Sequence, residues 1–508
     1  MDSPLQLLRD LLPFGPPSAE QKGAAALRDL RDTVTGLSPQ ELIAKLAGSV
    51  LPTANQQPNL HMRFKLLEDI RLETEHSLPV LESSISQAVL PLPMDAATAA
   101  LHADNLLKGM AMAYAGIARN IAKSQLNAAL SHLFHRSIQR AMAMIARRQL
   151  LAYRAYADPS ATSWLTLHEL YRMVRGPQPK PLNGETAPIE QEYLGALLFA
   201  FLEPGKFHRA ELELIHACTR QLAAYATVRE ASADTGTTRP VESCFVIRPD
   251  EGIPGYPLAR LPAGLSIFGN LLLDCTPVLA ALDRNITRRP GKKIEPDLDA
   301  PPTLLQYLRI AIGGKSARRF SRTRFRPRGD LISGLPQVIN FLDGNAFSRR
   351  SVDSASRYEG RDFMSSEWSL IDESPDGFRL RFIKGEKKKM GAGDIVALQP
   401  RESSKIHVCL VRRVSTSQVR LEVGLQLLSP QISVVDVVAD DTPEQLGIFL
   451  HNLPAYGKFS GLIANPGNYR TGQTIMIKLP GRSLHRQIGT CMEANEGLEF
   501  FALDPLPD

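Results

Sequence analysis

The sequence predicts an α+β protein of several domains, with an α-helical N-terminal region followed by an antiparallel β-barrel and a β-rich extension. Apolar residues recur at helical spacing before about residue 230 and alternate with polar residues after about residue 330. The 508 residues also exceed what one hydrophobic core usually supports. We therefore expect four segments: a helical domain at 1–230, a mixed α/β connecting segment at 231–314, a barrel at 315–440 and a β-meander extension at 441–508.

The helical pattern is clearest between 126 and 145, where apolar residues recur every three or four positions and form one stripe. Three further segments have the same character: 164–175, 191–202 and 207–229. Several such helices in succession predict a helical bundle or a stack of helical hairpins. The polar run 231–240 is typical of a linker.

The connecting segment is expected to contain a strand at 243–248 and a helix at 276–285. In the barrel, the clearest strand is 419–427, where apolar and polar residues alternate strictly, so that one face is buried. The other expected strands are 330–342, 367–371, 377–383, 394–399, 405–414, 432–439, 473–479, 484–492 and 497–503. The last three extend the barrel or form a second one.

Composition indicates an intracellular protein without a membrane span. The five cysteines lie far apart, with no CxxC pair or zinc-type spacing, which favours a reducing compartment. The N-terminal sequence MDSPLQLLRDLLPF has neither the basic region nor the long apolar region of a signal peptide. The longest uncharged apolar stretch, Leu261 to Leu273, is shorter than the roughly 20 residues that cross a bilayer. We expect a cytoplasmic protein.

A polar hairpin interrupts the strand-rich region at Asp372-Glu373-Ser374-Pro375-Asp376-Gly377. An ordinary turn uses the same residue types, because Asp, Ser and Pro favour turns and Gly377 can adopt a positive φ. Taken alone, the hairpin therefore indicates only a turn.

The pattern Asp-x-Ser-x-x-Gly in this setting resembles the second motif of the PilZ family, whose first motif is RxxxR upstream. Three later landmarks also resemble that family in order: Asp394 to Leu398, Val408 to Arg413, and Val423 to Leu428. The resemblance covers 318–440, about a quarter of the chain. It implies a PilZ-like barrel that binds cyclic di-GMP, a dinucleotide with two phosphates and two guanines.

The residue types suit such a ligand. Arginine presents a planar fork of donors to phosphate oxygens or to the O6/N7 edge of guanine. Ionised Asp372 would accept hydrogen bonds from the N1–H and N2–H groups of guanine, and the Ser374 hydroxyl can donate or accept. Gly377 would let the backbone approach the ligand closely.

The RxxxR motif has several candidates: Arg318/Arg322, Arg322/Arg326, Arg324/Arg328 and Arg357/Arg361. The PilZ family places a whole strand between its two motifs, and 362–371 leaves no room for one. We therefore prefer Arg324 and Arg328, which precede the expected strand at 330–342. This choice makes 343–366 a longer insertion than the family pattern implies, so Arg318, Arg322, Arg357 and Arg361 remain alternatives.

Other site motifs fail on spacing or partners. Gly313-Gly314-Lys315-Ser316 would end a phosphate-binding P-loop, but Arg309 stands where its first glycine belongs. His132 and His135 could share a helix face, yet no third metal ligand is apparent. No catalytic motif appears, so we expect neither an enzyme nor a metal site.

We therefore expect a cyclic di-GMP receptor that needs no other cofactor and whose helical region contacts an output protein. The ligand would dock between the barrel and the basic run 315–328, and a fragment 310–508 would bind it while 1–230 would not. Two alternatives stay open: a PilZ-like protein-interaction module without ligand, and a protein that binds single-stranded nucleic acid through the basic run. The aromatic content of 6% counts against the second, because few rings are available for base stacking.

Overall fold

The computed structural model describes most of the chain. It covers residues 36–123, 128–176, 186–231, 243–261, 266–288, 294–313, 327–342, 365–401, 405–417, 420–439, 442–453 and 460–506, together with residues 25, 403 and 457.

The N-terminal region is helical, as expected. Its helices are α1 Pro39–Lys45, α2 Leu51–Asn55, α3 Leu60–Gln87, α4 Met94–Ala122, α5 Ala128–Arg154, α6 Ala161–Arg175, α7 Thr186–Phe201 and α8 Leu212–Leu222. Ser38 and Glu41 form a capping box at the start of α1, and Asn59 caps α3. None of the helices in the described ranges has the length and apolarity needed to span a bilayer.

One large core holds these helices together and continues into the connecting segment. Tyr114, Phe134 and Tyr193 are completely buried in it. The ring of Phe201, on α7, stacks on Phe245 of the connecting segment with centroids 3.9 Å apart. The helical and connecting segments therefore share one apolar core.

The connecting segment forms a small antiparallel sheet with strand order β1-β4-β2-β3. Its elements are β1 Thr227–Glu230, β2 Cys244–Ile247, β3 Tyr256–Pro257, β4 Leu271–Asp274, α9 Thr276–Ile286 and α10 Pro302–Ile312. The helix expected at 207–229 therefore ends earlier. After α8 the chain makes a short 3₁₀ turn and becomes strand β1, whose pairing with β4 outweighs the local helical pattern.

The expected antiparallel barrel is present and closed. Its strands are β5 Arg328–Ser333, β6 Ser366–Ser374, β7 Gly377–Gly385, β8 Ile395–Pro400, β9 His407–Ser417 and β10 Arg420–Leu427. They follow one another around this first barrel in the order β10-β7-β6-β5-β8-β9. Alternate residues such as Leu421, Val423 and Leu425 point into its core, as the strict alternation predicted.

The prediction of a strand at 330–342 is wrong for the second half of that range. Strand β5 ends at Ser333, and helix α11 follows at Leu335–Leu342. Gly334, with a φ of 95°, breaks the strand. Beyond it, Leu335, Val338 and Ile339 recur at helical spacing and are all buried, so the apolar run packs as a helix.

The β-rich extension is a second closed six-stranded barrel. Its strands are β11 Ile432–Ala439, β12 Thr442–Leu450, β13 Ser460–Ala464, β14 Thr474–Leu479, β15 Arg482–Asn495 and β16 Leu498–Pro505, in the order β11-β12-β13-β16-β15-β14. Strand β11, which our division at residue 440 assigns to the first barrel, pairs instead with β12 and β14. The first barrel therefore ends near Leu427.

The two barrels have the same connectivity. In each, the first strand along the chain lies between the second and the fourth, the third pairs with the sixth, and the fifth lies between the fourth and the sixth. All these pairings are antiparallel. Strand β15 therefore occupies in the second barrel the place that β9 occupies in the first.

A shared apolar cluster joins the barrels. Helix α11 contributes Val338 and Phe341, the first barrel contributes Ile395, and the second contributes Ile463 and Phe500. All five side chains are almost completely buried. This burial removes apolar surface from water on both sides and fixes the barrels side by side.

The helical region docks on the first barrel by inserting side chains into its core. Leu90 and Tyr156 are buried together with the barrel residues Trp368 and Val411. The amide of Thr416, on β9, donates to the Tyr156 carbonyl at 2.7 Å. The core of the first barrel is therefore completed by the helical region.

We expect Tyr156→Ala to loosen this docking. The side chain is 3% exposed, so its loss should cost roughly 3 to 5 kcal/mol, as for other large-to-Ala changes in cores. Hydrogen exchange should accelerate at the β9 amides, including that of Thr416. Leu446→Ala is the control, because Leu446 is exposed. Unchanged exchange along β9 in Tyr156→Ala would contradict the docking role.

Candidate ligand site

The β6–β7 hairpin that carries the Asp-x-Ser-x-x-Gly motif is tied to strand β10. The Ser374 hydroxyl donates to the Gly377 carbonyl at 3.3 Å, and the Leu427 amide donates to the Asp376 carbonyl at 2.8 Å. Gly377 has a φ of 152°, and a Cβ there would lie 1.9 Å from the Leu425 carbonyl oxygen. Glycine is therefore required by the close approach of β7 to β10, whether or not a ligand is bound.

Asp372 lies at an irregularity in the β6–β7 pairing, opposite Arg379. Its carboxylate is half-buried, and one of its oxygens is 4.0 Å from the Arg379 guanidinium. Arg379 in turn lines the crevice described next, together with Ser374 and Gly377. The hairpin thus brings Asp372 to the border of that crevice.

An interdomain crevice of about 1160 Å³ separates the outer face of β7, β9 and β10 from the helical region and the connecting segment. Ser374 and Gly377 lie at its edge. Five cationic and three acidic side chains line it: Lys206, Arg260, Arg379, Arg412 and Arg413, with Glu203, Asp376 and Glu422. The excess of cations makes the crevice suited to an anion.

Glu422 holds two arginines on the barrel side of the crevice. Its carboxylate accepts from Arg379 at 2.6 Å and from Arg381 at 2.8 Å. Burial raises the pKa of Glu422, but the hydrogen bonds and charges of the two arginines outweigh it and hold the pKa below its usual value. Glu422 is therefore ionised at neutral pH and keeps the Arg379 guanidinium extended over the sheet.

Glu203 is a counter-ion for cations on the opposite wall of the crevice. It follows α7 in a left-handed conformation and forms an ion pair with Lys206 at 2.7 Å. Burial raises the pKa of Glu203, yet the hydrogen bond from Lys206 and the charges of Lys206, Arg413 and Arg260 lower it overall. Glu203 is thus a counter-ion for cations that come from three parts of the chain.

Arg412, on β9, connects the crevice with the second barrel. Its Nε donates to Gln426 at 2.6 Å, and its Nη1 donates to the Glu493 carboxylate on β15. The same Glu493 oxygen accepts a hydrogen bond from the Tyr307 hydroxyl, on α10, at 2.8 Å. One carboxylate therefore joins the crevice, the connecting segment and the second barrel.

The turn Pro204–Lys206 packs tightly on β9 and fixes the width of the crevice. A Cβ on Gly205 would lie 2.6 Å from the Val414 carbonyl oxygen, so only glycine allows the turn to approach this closely. The turn continues directly from the end of α7, which places Lys206 opposite Arg413 across the crevice.

Arg328, one of the two preferred arginines, opens strand β5 and faces away from the crevice. Its guanidinium donates to Glu367 at 2.7 Å and is 58% exposed. The residue just before it, Pro327, lies beside β6, because the Leu370 amide donates to the Pro327 carbonyl at 2.9 Å. Leu370 is two residues from Asp372 along the sequence.

The remaining arginine candidates lie outside the described residues: Arg318, Arg322, Arg324, Arg326, Arg357 and Arg361. Of the motif residues, the structure brings Ser374 and Gly377 to the crevice and Asp372 to its border, and it does not bring Arg328 there. No cluster of three potential metal ligands occurs within the part of the chain that is described.

Sequence reasoning missed the crevice cations. Arg379, Arg412 and Arg413 stand in strands that we recognised, and the alternation of Arg379 with buried Phe378 and Leu380 signals an outward side chain. No local signal could identify Lys206 or Arg260, because only the docking of the domains brings them to the barrel.

Two family models match the chain. Residues 25–233 match the N-terminal domain of the cyclic-di-GMP receptor FimW, and residues 339–433 match the middle PilZ domain of that receptor. Together the two matches span more than half of the chain. The chain belongs to the FimW family of cyclic-di-GMP receptors. A search of curated proteins finds no match.

The FimW match defines which parts of the site belong to the PilZ domain. It includes the hairpin with Asp372, Ser374 and Gly377 and the crevice strands β7, β9 and β10. It begins within α11, so it contains Arg357 and Arg361 but excludes β5 and the preferred pair Arg324/Arg328. The barrel nevertheless requires β5, which closes it between β6 and β8.

We expect Gly377→Ala to destabilise the first barrel more than a matched glycine change in the second. At Gly377 a Cβ would collide with the β10 backbone, whereas at Gly481, with a φ of 78°, it would meet nothing within 4 Å. Gly481→Ala should cost only the backbone strain of about 1 to 2 kcal/mol. Denaturant unfolding should show at least twice that loss for Gly377→Ala. Equal losses would contradict the close approach.

Proposed function

We propose that the protein binds cyclic di-GMP in the interdomain crevice, with the Asp372 to Gly377 hairpin at one edge. The observation that carries this proposal is the position of the PilZ-type hairpin beside five cations in a space of about 1160 Å³. A cyclic dinucleotide offers two phosphates to the cations and two guanine edges to polar groups.

The crevice cations can bind phosphate in addition to their carboxylate partners. Arg379 on β7 and Arg413 on β9 present planar donor forks from the two strands that flank β10, and Lys206 and Arg260 line the other wall. Glu422 holds Arg379 and Glu203 holds Lys206 in place before the ligand arrives, which reduces the ordering cost of binding. Phosphate oxygens can then share the remaining donors.

Asp372 and Ser374 supply the recognition of guanine. A carboxylate only accepts hydrogen bonds, so Asp372 suits the N1–H and N2–H donors of guanine and not adenine, which lacks the N2 donor. Pro327, near the end of the basic run 315–328, lies beside Leu370. We propose that arginines of this run, Arg324 among them, contact the bound ligand.

The crevice also favours a small ligand over a nucleic-acid strand. The helical region and the connecting segment form its second wall through Glu203, Lys206 and Arg260. A strand that continues past the ligand site would have to leave between packed domains. The compact cyclic dinucleotide fits this enclosure better.

We further propose that the protein is a cytoplasmic receptor without catalytic activity, whose helical region contacts an output protein. The absence of catalytic motifs in the sequence and the receptor family support the first part. The signal would pass through the crevice, because the ligand contacts walls from separate domains and can change how they sit together.

Calorimetry with cyclic di-GMP tests the site. We expect Arg379→Ala, Arg413→Ala and Asp372→Ala each to weaken binding roughly tenfold or more, because a lost charge-assisted hydrogen bond costs about 1.5 to 3 kcal/mol. Arg482→Ala, an exposed arginine on the second barrel, should have no effect. The full chain is used, because a fragment 310–508 lacks Lys206, Arg260 and the core residue Tyr156.

The same titration shows which pair of arginines is the RxxxR motif that binds the ligand. We expect the double variant Arg324→Ala/Arg328→Ala to weaken binding more than Arg357→Ala/Arg361→Ala. The reverse order would transfer the motif to the second pair. If no variant of either pair or of the crevice cations altered affinity, the proposed site would be wrong.

Salt dependence separates this ligand from nucleic acid. Binding of duplex DNA through 6 to 10 phosphates falls by orders of magnitude between about 50 and 200 mM salt, whereas a dinucleotide has two phosphates and should lose far less. Cyclic di-AMP should compete poorly, since it lacks the O6 acceptor and the N2 donor of guanine. Steep salt dependence with equal binding of both dinucleotides would favour the nucleic-acid alternative.

A further inference from the structure

The second barrel repeats the connectivity of the first but does not repeat its ligand hairpin. The connection that corresponds to the β6–β7 hairpin joins β12 to β13 and has the sequence HNLPAYGKF, without an Asp-x-Ser-x-x-Gly pattern. The family matches stop at residue 433 and leave this barrel without an assigned role. The contacts between this barrel and the first one connect it to the ligand crevice.

The face of the second barrel that corresponds to the ligand side is already covered. In the first barrel the crevice lies on the third, fifth and sixth strands, β7, β9 and β10. The equivalent strands of the second barrel are β13, β15 and β16. Ile463 on β13, together with Leu498 and Phe500 on β16, packs into the cluster shared with the first barrel, and Met492 on β15 packs against that cluster.

One charged group on this covered face binds an arginine that lines the ligand crevice. Glu493, on β15, accepts the Nη1 hydrogen bond of Arg412 and has a side chain only 13% exposed. Two residues further, the Asn495 side chain donates to the Gly393 carbonyl of the first barrel at 3.0 Å. The end of β15 is thus anchored to the first barrel at two points, Arg412 and Gly393.

The Glu493 carboxylate binds a guanidinium donor of Arg412 that a phosphate could also bind. Nε of Arg412 is engaged by Gln426 and Nη1 by Glu493, so each bidentate edge of the guanidinium, Nε/Nη2 and Nη1/Nη2, already has one nitrogen engaged, and a phosphate on either edge competes with a resident partner. Gln426 is neutral and belongs to the same barrel. Of these two partners, only Glu493 carries a negative charge, so it is the partner that a phosphate on Arg412 repels.

We propose that Glu493 is an internal competitor of the ligand, through which the second barrel sets the affinity of the crevice and responds to its occupation. This inference rests on the proposed binding of cyclic di-GMP in the crevice. When phosphate takes Arg412, Glu493 keeps only the Tyr307 hydroxyl among the donors described above. A largely buried carboxylate with fewer donors is destabilised, so the contact between the barrels weakens.

The coupling is reciprocal. By thermodynamic linkage, the factor by which the Arg412–Glu493 contact lowers ligand affinity equals the factor by which the ligand weakens that contact. Removing the charge of Glu493 should therefore raise affinity, whereas removing an ordinary ligand-contacting residue lowers it. This difference in sign distinguishes a competitor from a residue that positions Arg412 for the ligand.

Calorimetry with cyclic di-GMP on the full chain tests this inference through Glu493→Gln and Glu493→Asp. Glutamine removes the charge, and aspartate keeps it on a side chain one methylene shorter. We expect both variants to bind at least roughly fivefold more tightly than the unaltered protein, the low end of ordinary coupling between sites. Glu499→Gln is the control, because Glu499 on β16 instead accepts from the Gly467 amide.

Hydrogen exchange supplies a second readout. Cyclic di-GMP should accelerate exchange in the β15 amides around Glu493 in the unaltered protein and change them little in Glu493→Gln, where the charge that competes with the ligand is already removed. Unchanged or weaker affinity in both Glu493 variants, with the unaltered protein still binding, would overturn this inference alone. No binding of cyclic di-GMP by the unaltered protein would overturn both the inference and the proposed function.

Discussion

The insertion of Leu90 and Tyr156 into the core of the first barrel is the constraint on which the rest of the structure depends. These side chains come from the ends of helical segments, yet they are buried among Trp368 and Val411. Because the Tyr156 carbonyl also bonds to the Thr416 amide, the helical region and β9 keep one fixed register. That register sets where Lys206 and Arg260 lie relative to the barrel, and so it creates the crevice.

Charge in the crevice is balanced before any ligand arrives. Glu422, Glu203 and Glu493 each hold a cation that faces the crevice, and each comes from a different part of the chain. Such pairing keeps partly buried arginines from being left without a counter-charge, which would cost several kcal/mol. When the ligand binds, its phosphates compete with these carboxylates for the cations. Ligand affinity therefore depends on how strongly the cations bind the carboxylates.

Much of the fold could be predicted from the sequence, because its strongest signals are periodic. The alternation over 419–427 predicted β10, and the apolar stripe over 126–145 predicted α5. The apolar run after Ser333 was ambiguous, and only the positive φ of Gly334 and the burial of Val338 show that it is a helix. The sequence did not decide whether the last strands extend the first barrel or form a second one, because strand pairing between distant segments has no local signature.

The site was predictable only in part, for the same reason. The hairpin from Asp372 to Gly377 is a local motif and could be found by its spacing. The crevice cations Lys206 and Arg260 are more than 100 residues away along the chain from Arg379 and meet it only after the domains dock. The partner of Arg412 in the second barrel, Glu493, is likewise a product of tertiary packing.

In the proposed complex the ligand lies between the helical region and the barrel. Hydrogen exchange of the full chain with and without cyclic di-GMP tests this position most directly. We expect protection on both walls at once, at the amides of Gly205 and Lys206 and at those of Gly377 to Arg379. Protection confined to the barrel and its basic run, with the Gly205 and Lys206 amides unchanged, would contradict it.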